Sequence, residues 1–508
     1  MSRFALLLAL TLSCPPIVAS AGPGAIDRST ESGAMGAQRH LPRFEVEVSY
    51  VANLVHWIDN VAGSSQGKTV RSYRDYWRRR FGTPDADEME LLRSWVAIRF
   101  KQVARPVPAI LNQRGCLPQL EEVPGWRESF LVRSYEAASV DAFIDAISGD
   151  LSAEEKTALR RIFEKFRPRF DEAWKEMEYL TPFAERLKTF LAEGGLRPFL
   201  GEVAAFFAVD PDGFAPGRLE LMALPEEGPT HAQADGRYLM IEIRPGDAPR
   251  DQIQVIAHET SHYLWHLVDP ARNDRLARQV FAAGNAGSVT WSLLREALPT
   301  AIGQGLADSR LSPGTFSERN RWYHIDDVDR LAKEIFPIVK AAFGRGKRLD
   351  GRVLKEIARR AGTSEAVLHA APAAYLTEAF FAVGSGMADV YREVRGKMPV
   401  RSERTFSISD PMEAAFVDRF DCLSGVVLLG PEDLRDLPRR SPILPPPSRG
   451  GDASAPPRSG ILTLRRPGGG TLFYLIATSP DDAATIAPIF LGLHAPFDAP
   501  VLLGAPSP

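Results

Sequence analysis

Cysteine is scarce in this sequence, with three residues in 508. That excludes a disulfide-dense scaffold and any multi-cysteine zinc cluster as the organiser of the fold. Long apolar runs are missing too: no segment reaches the ~18 residues needed to cross a bilayer, so no transmembrane segment is expected. There is no cationic excess, the net charge being -3, and this argues against nucleic acid as a partner, because phosphate binding needs a basic surplus or a basic patch. The local cluster Trp77-Arg78-Arg79-Arg80 reads as the solvated face of a helix. No internal repeat is present.

One short apolar run has a different meaning. Met1-Ser2-Arg3 carries a positive charge, Phe4 to Leu12 are apolar, Cys14-Pro15-Pro16 breaks the run, and Ala19-Ser20-Ala21 is a small-residue cleavage site. This is the layout of a secretory signal peptide over residues 1–21. The mature chain is then expected to be exported, to a periplasm or outside the cell. Cys14 would leave with the signal, and Cys116 and Cys422 would remain where a disulfide is permitted. Their spacing leaves the pairing open.

The composition is that of a globular protein too long for one ordinary core. Residues 22–42 are rich in Gly, Ser and Ala and read as a flexible lead-in. Residues 43–202 read as an N-terminal helical region, with a capping box at Ser152-Ala153-Glu154-Glu155 and breaks expected at Pro168 and Pro182. From 203 the texture changes. Ala205–Val209, Arg218–Leu224 and Tyr238–Ile243 read as strands, with a polar loop over 226–236. Helices follow at 251–268, 289–302, 326–344, 351–361 and 373–396. Residues 438–459 read as a Pro/Gly/Ser-rich linker, and 460–508 as a small C-terminal α/β segment. The fold class is α+β, mostly helical, with a catalytic domain over 203–437 in which a small antiparallel or mixed sheet lies beside one helix.

That helix carries His258-Glu259-Thr260-Ser261-His262. Positions i and i+4 share a helix face, so two imidazoles can converge on one Zn²⁺ at ~2.0–2.1 Å. Glu259, turned ~100° from His258, borders the same face and can serve as general base on water beside the ion. Ile256, Tyr263, Leu264 and Leu267 fall on another face, which suits a helix with one side for chemistry and one for the core. Asp247 is the expected N-cap, with Pro249 in the first turn.

A strand at 238–243 followed by this motif resembles the zincin superfamily of metallopeptidases. The resemblance covers about residues 205–310. It implies zinc held by His258 and His262, with Glu259 as catalytic carboxylate. It also implies an edge strand beside the cleft, here 238–243, that binds extended peptide through its backbone. Trp265 and Val268 stand where the metzincin pattern needs Gly and His, which disfavours that subclass.

A catalytic zinc needs a third protein ligand and one open position. Glu296 is the preferred candidate: it lies 34 residues after His262 on a helical segment whose neighbours Ala297, Thr300 and Ala301 are small. That context resembles the gluzincins, where a Glu on a following helix completes a two-His, one-Glu site. Asp308, Glu378 and His266 are competitors. Tyr323, His324 and His231 are candidates for the donor that stabilises an oxyanion. The expected function is hydrolysis of a peptide or protein substrate. Two alternatives stay open: zinc hydrolysis of a cell-wall amide or ester, and a non-catalytic exported binding or scaffold protein.

Overall fold

The computed structural model describes residues 44–64, 70–99, 101, 116, 126–193, 195–210, 217–226, 228, 230–283, 285–314, 316–376, 378–398, 402–408, 417, 419–434, 458–494 and 501–502. The expected signal peptide and lead-in lie outside them, as does the body of the expected linker.

The first strand, β1 (Phe44–Glu47), leads into α1 (Tyr50–Ala62), which starts where the Ser49 hydroxyl accepts the Ala52 N–H at 3.2 Å. Among the described residues seven helices follow: α2 (Val70–Phe81), α3 (Ala86–Arg99), α4 (Trp126–Glu136), α5 (Val140–Ile147), α6 (Ala153–Glu176), α7 (Leu180–Glu193) and α8 (Leu196–Phe207). The capping box forms as read: Ser152 N–H donates to the Glu155 carboxylate, and Glu155 N–H to the Ser152 hydroxyl. Pro168 does not divide α6, which runs on through it. The aromatics of this region are core, with Trp57 against Trp77 at 4.8 Å and against Phe170 at 5.4 Å.

Residues 205–209 are not a strand. Ala205–Phe207 form the last turn of α8, in which Phe199, Leu200, Val203, Ala204, Phe206 and Phe207 are all buried. A helix covered on most sides shows little polar face, and a short apolar run then reads equally well as a strand.

The first sheet has the order β1-β2-β4-β3, with β2 (Gly217–Ala223), β3 (Ala232–Asp235) and β4 (Tyr238–Ile243). β1, β2 and β4 are parallel, and β3 returns antiparallel to β4. The turn is the two residues Gly236-Arg237, with Gly236 at φ 57°, a conformation glycine adopts without steric cost. β3 therefore occupies what the sequence presents as loop, because Ala-Gln-Ala-Asp carries no β-branched or aromatic signal. One sheet face is apolar, with Leu219, Leu221, Leu239 and Ile241. The other carries Glu220, Met240 and Glu242 and is covered by α1 and α4: His56 meets Glu242 at 2.7 Å, and Tyr135 donates to Asp235 at 2.9 Å.

After the first sheet come α9 (Ile253–His266), α10 (Pro270–Phe281), α11 (Asn285–Thr300), α12 (Asp326–Gly344) and α13 (Gly351–Ala361). α11 continues without interruption into a π-helical stretch, Ala301–Ala307, and a last turn, Asp308–Leu311.

The expected helix over 373–396 is corrected. Pro372–Tyr375 is a single 3₁₀ turn, Glu378–Val383 is β5, and Ala388–Lys397 is helical, as α14. β5 lies between two parallel partners with Ala379, Phe380 and Phe381 fully buried. Its continuous apolar run has no period-2 alternation to betray it. Glu378 thus belongs to a strand. The second sheet is β10-β8-β9-β7-β5-β6, joining β5, β6 (Ser402–Ser407) and β7 (Ser424–Leu429) to β8 (Gly460–Arg465), β9 (Thr471–Ile476) and β10 (Val501–Leu502). The last helix, α15 (Pro480–Leu491), packs on it. The overall class is α+β, mostly helical with two mixed sheets. One contiguous apolar cluster runs from Val46 to Phe490, and a Cys116–Cys422 disulfide joins distant parts of the chain.

α8 ends in a Schellman motif: Val209 N–H donates to Ala204 O and Ala208 N–H to Ala205 O, both at 3.0 Å. Ala208 sits at φ 54°, ψ 38°, the left-handed position that favours glycine. Ala208→Gly is expected to stabilise the fold by about 0.5–1 kcal/mol. Urea denaturation with an unchanged slope would show it, and a lower midpoint would refute it.

Candidate metal centre

The site is assembled from two helices and one loop. α9 follows β4 across residues 244–252. There Ala248 N–H donates to the Asp251 carboxylate at 2.8 Å and Pro249 opens a single 3₁₀ turn. Asp247 is not the N-cap; its carboxylate accepts the Arg244 N–H and the Gln252 amide, which ties the loop shut. This short connection holds α9 beside the sheet. Ile256, Ala257 and Leu264 are fully buried on its core side, while His258, Glu259 and His262 are buried on the other.

Glu296 arrives from α11, the second helix after α9, with α10 lying between them in the chain. Ala297, Thr300 and Ala301 are completely buried beside it, as expected of small residues that let two helices close up. The result is a tight convergence. His258 Nε2 and His262 Nε2 are 3.0 Å apart, and Glu296 Oε2 is 3.2 Å from His262 Nε2 and 3.5 Å from His258 Nε2. Three ligand atoms at 2.0–2.2 Å in a tetrahedral array lie ~3.3 Å from one another, so these separations match a shared ion. Two imidazoles and a carboxylate are also the donor set that suits zinc.

Glu259 stands beside this group. Its Oε1 is 4.0 Å from His258 Nε2, adjacent to the convergence point without joining it. Tyr323 is brought in from the segment before α12: its hydroxyl donates to Glu296 Oε2 at 3.1 Å, and its ring stacks on His258 at 5.9 Å and 14°. His324 is exposed and packs on Tyr323. Burial alone lowers the basicity of His258, but the Glu296 hydrogen bond and the Glu259 and Glu296 charges more than compensate and hold it above the ordinary range.

Other expected residues do not reach the centre. His231 lies on the sheet face turned towards α1, its imidazole against Gln233 and its N–H donating to Glu242. Burial pushes its pKa down, partly offset by the Glu242 charge. His266 and Asp308 are outside the converging group, which among the described residues comprises His258, His262 and Glu296. The strand at 238–243 is interior. The edge beside α9 is β3, with Ala232 and Ala234 on the apolar face. Sequence reasoning missed β3, and its one usable signal was the Gly-Arg turn before Tyr238.

No family model matches the chain, and no curated protein or solved structure matches it significantly.

Zinc is expected at one equivalent per wild-type chain and lost in both His262→Ala and Glu296→Ala, each still folded by circular dichroism. Retention by Glu296→Ala with unchanged affinity would remove that residue from the ligand set.

Proposed function

We propose that the chain is a zinc-dependent hydrolase acting on peptide bonds in an exported compartment. The observation that carries the reading is the convergence of His258 Nε2, His262 Nε2 and Glu296 Oε2 within 3.5 Å, with the Glu259 carboxylate 4.0 Å from His258. Such a set leaves a fourth coordination position for water or substrate. Zinc bound there supplies Lewis acidity, polarising a carbonyl and making water nucleophilic near neutral pH.

The protein's own groups do the rest. Glu259 accepts the proton of the attacking water and passes it to the leaving amine. It is almost buried, 7% exposed, and a proton carrier works best where bulk water is excluded. The Tyr323 hydroxyl, hydrogen-bonded to the Glu296 carboxylate, is assigned as the donor for the negative charge that grows on the carbonyl oxygen. β3 has no strand beyond it among the described residues. Its free edge can pair with an extended backbone, which favours peptide over a compact cell-wall amide or ester. The disulfide fits an oxidising, exported setting. Among the described residues no helix is long and apolar enough to cross a membrane.

Glu259→Gln is expected to keep zinc while lowering peptide hydrolysis by about 10²–10⁴-fold. Turnover by the zinc-loaded variant at the wild-type rate would sink the mechanism. Tyr323→Phe is expected to keep zinc and lower kcat by about 10²-fold with little change in KM; a pure KM effect would reassign Tyr323 to substrate binding. A panel that adds cell-wall fragments to peptides separates the substrate classes.

A further inference from the structure

The site makes a demand on His258 that the reactive groups do not meet. With Nε2 turned to the convergence point, a metal-binding imidazole carries its proton on Nδ1. Ligand histidines almost always give that N–H to an acceptor, which fixes tautomer and ring orientation. In this structure His258 Nδ1 is buried and has no hydrogen-bond partner of good geometry. A second side-chain polar atom in the same condition is a neighbour of the His258 ring. Gln304 Oε1 is likewise buried and unpartnered, its side chain is within hydrogen-bonding reach of the His258 ring, and the residue before it, Gly303, lies against His258 Cβ and N.

The backbone explains how Gln304 reaches this place. Glu296 and Gln304 lie on one continuous helix. On regular α-helix, eight residues would leave Gln304 ~80° around from Glu296. The Ala301–Ala307 stretch is π-helical, and its wider i→i+5 turns take up most of that offset. Gly303 makes the approach possible. A Cβ there would sit 2.5 Å from Gln254 O and 2.9 Å from His258 Cβ, so any other residue would push this stretch away from α9. Glycine contact, π-turn and orphaned amide all meet at the same turn of α9, the one that carries His258.

We propose that Gln304 is a positioning residue for the metal centre: its side-chain oxygen accepts the His258 Nδ1–H and holds Nε2 towards the ion. This rests on the zinc reading above, and it adds a residue that the ligand motif does not contain. Gln304 touches neither ion nor substrate in this role, so the effect should appear in metal affinity.

The test is zinc affinity by chelator competition on the full mature chain, with the thermal midpoint of the metal-free protein as a second readout. Gln304→Met keeps the size and removes the acceptor. It should weaken zinc binding by about 10- to 100-fold, with the metal-free midpoint near wild type. Gln304→Glu keeps an acceptor oxygen and should bind zinc within a few-fold of wild type. Equal affinity in wild type and Gln304→Met overturns the proposal while leaving the zinc site intact. If Gln304→Met does not fold, Gln304→Glu decides: a tenfold loss of affinity in that variant overturns it. Wild type with no more zinc than His262→Ala overturns the underlying zinc reading and this proposal with it.

Discussion

Two imidazole nitrogens and a carboxylate oxygen held within 3.5 Å of one another, all on poorly exposed side chains, set the terms for the surrounding structure. Three electron-rich atoms aimed at one point need a positive charge between them, and in a buried place they cannot borrow it from water. A proton can serve one pair at a time, whereas a divalent ion serves all three. Keeping the atoms together requires α9 and α11 to be close and rigid, and most of the neighbouring packing serves that end. Fully buried alanines on α11, the short closed loop before α9 and the glycine contact at 303 each shorten a distance that larger or looser groups would lengthen.

The first sheet supplies the second constraint. β4 runs directly into the connection to α9, and its two faces are treated differently. Leu239 and Ile241 join the main apolar core, while Glu242 on the opposite face meets His56 of α1 in a buried hydrogen bond. That contact anchors α1 to the strand preceding α9. The N-terminal region is thus bound to the site's foundation by a buried hydrogen bond as well as by apolar contact, and the common core extends the same coupling to the C-terminal sheet.

Legibility in the sequence followed how local each signal was. The capping box at Ser152 was readable because both partners lie within one turn. His258, Glu259 and His262 were readable because helical spacing alone brings them to one side. The buried runs at 205–209 and 378–383 were misread, one strand for helix and one helix for strand. Both are apolar on nearly every side, so neither period shows. β3 was invisible, since its pairing comes from the Gly236 turn and from β4, with nothing strand-like in Ala-Gln-Ala-Asp. His231 stands in the loop before the strand expected at the edge, which points it to the cleft, but the pleat turns it to the opposite face, where a displacement of one residue decides everything.

By itself the sequence determined the two-histidine motif, the Glu259 carboxylate at its side, the α+β class and the absence of cationic surplus, because each depends on spacing or composition within a few residues. It also offered Glu296 as one choice among several. Only the tertiary structure decided which carboxylate closes the group, that Tyr323 reaches it while His231 does not, that β3 is the open edge, and that the π-helical stretch carrying Gln304 packs against α9. Those outcomes depend on how helices separated in the chain approach, and on a π-turn whose few tens of degrees of rotation no helical periodicity encodes.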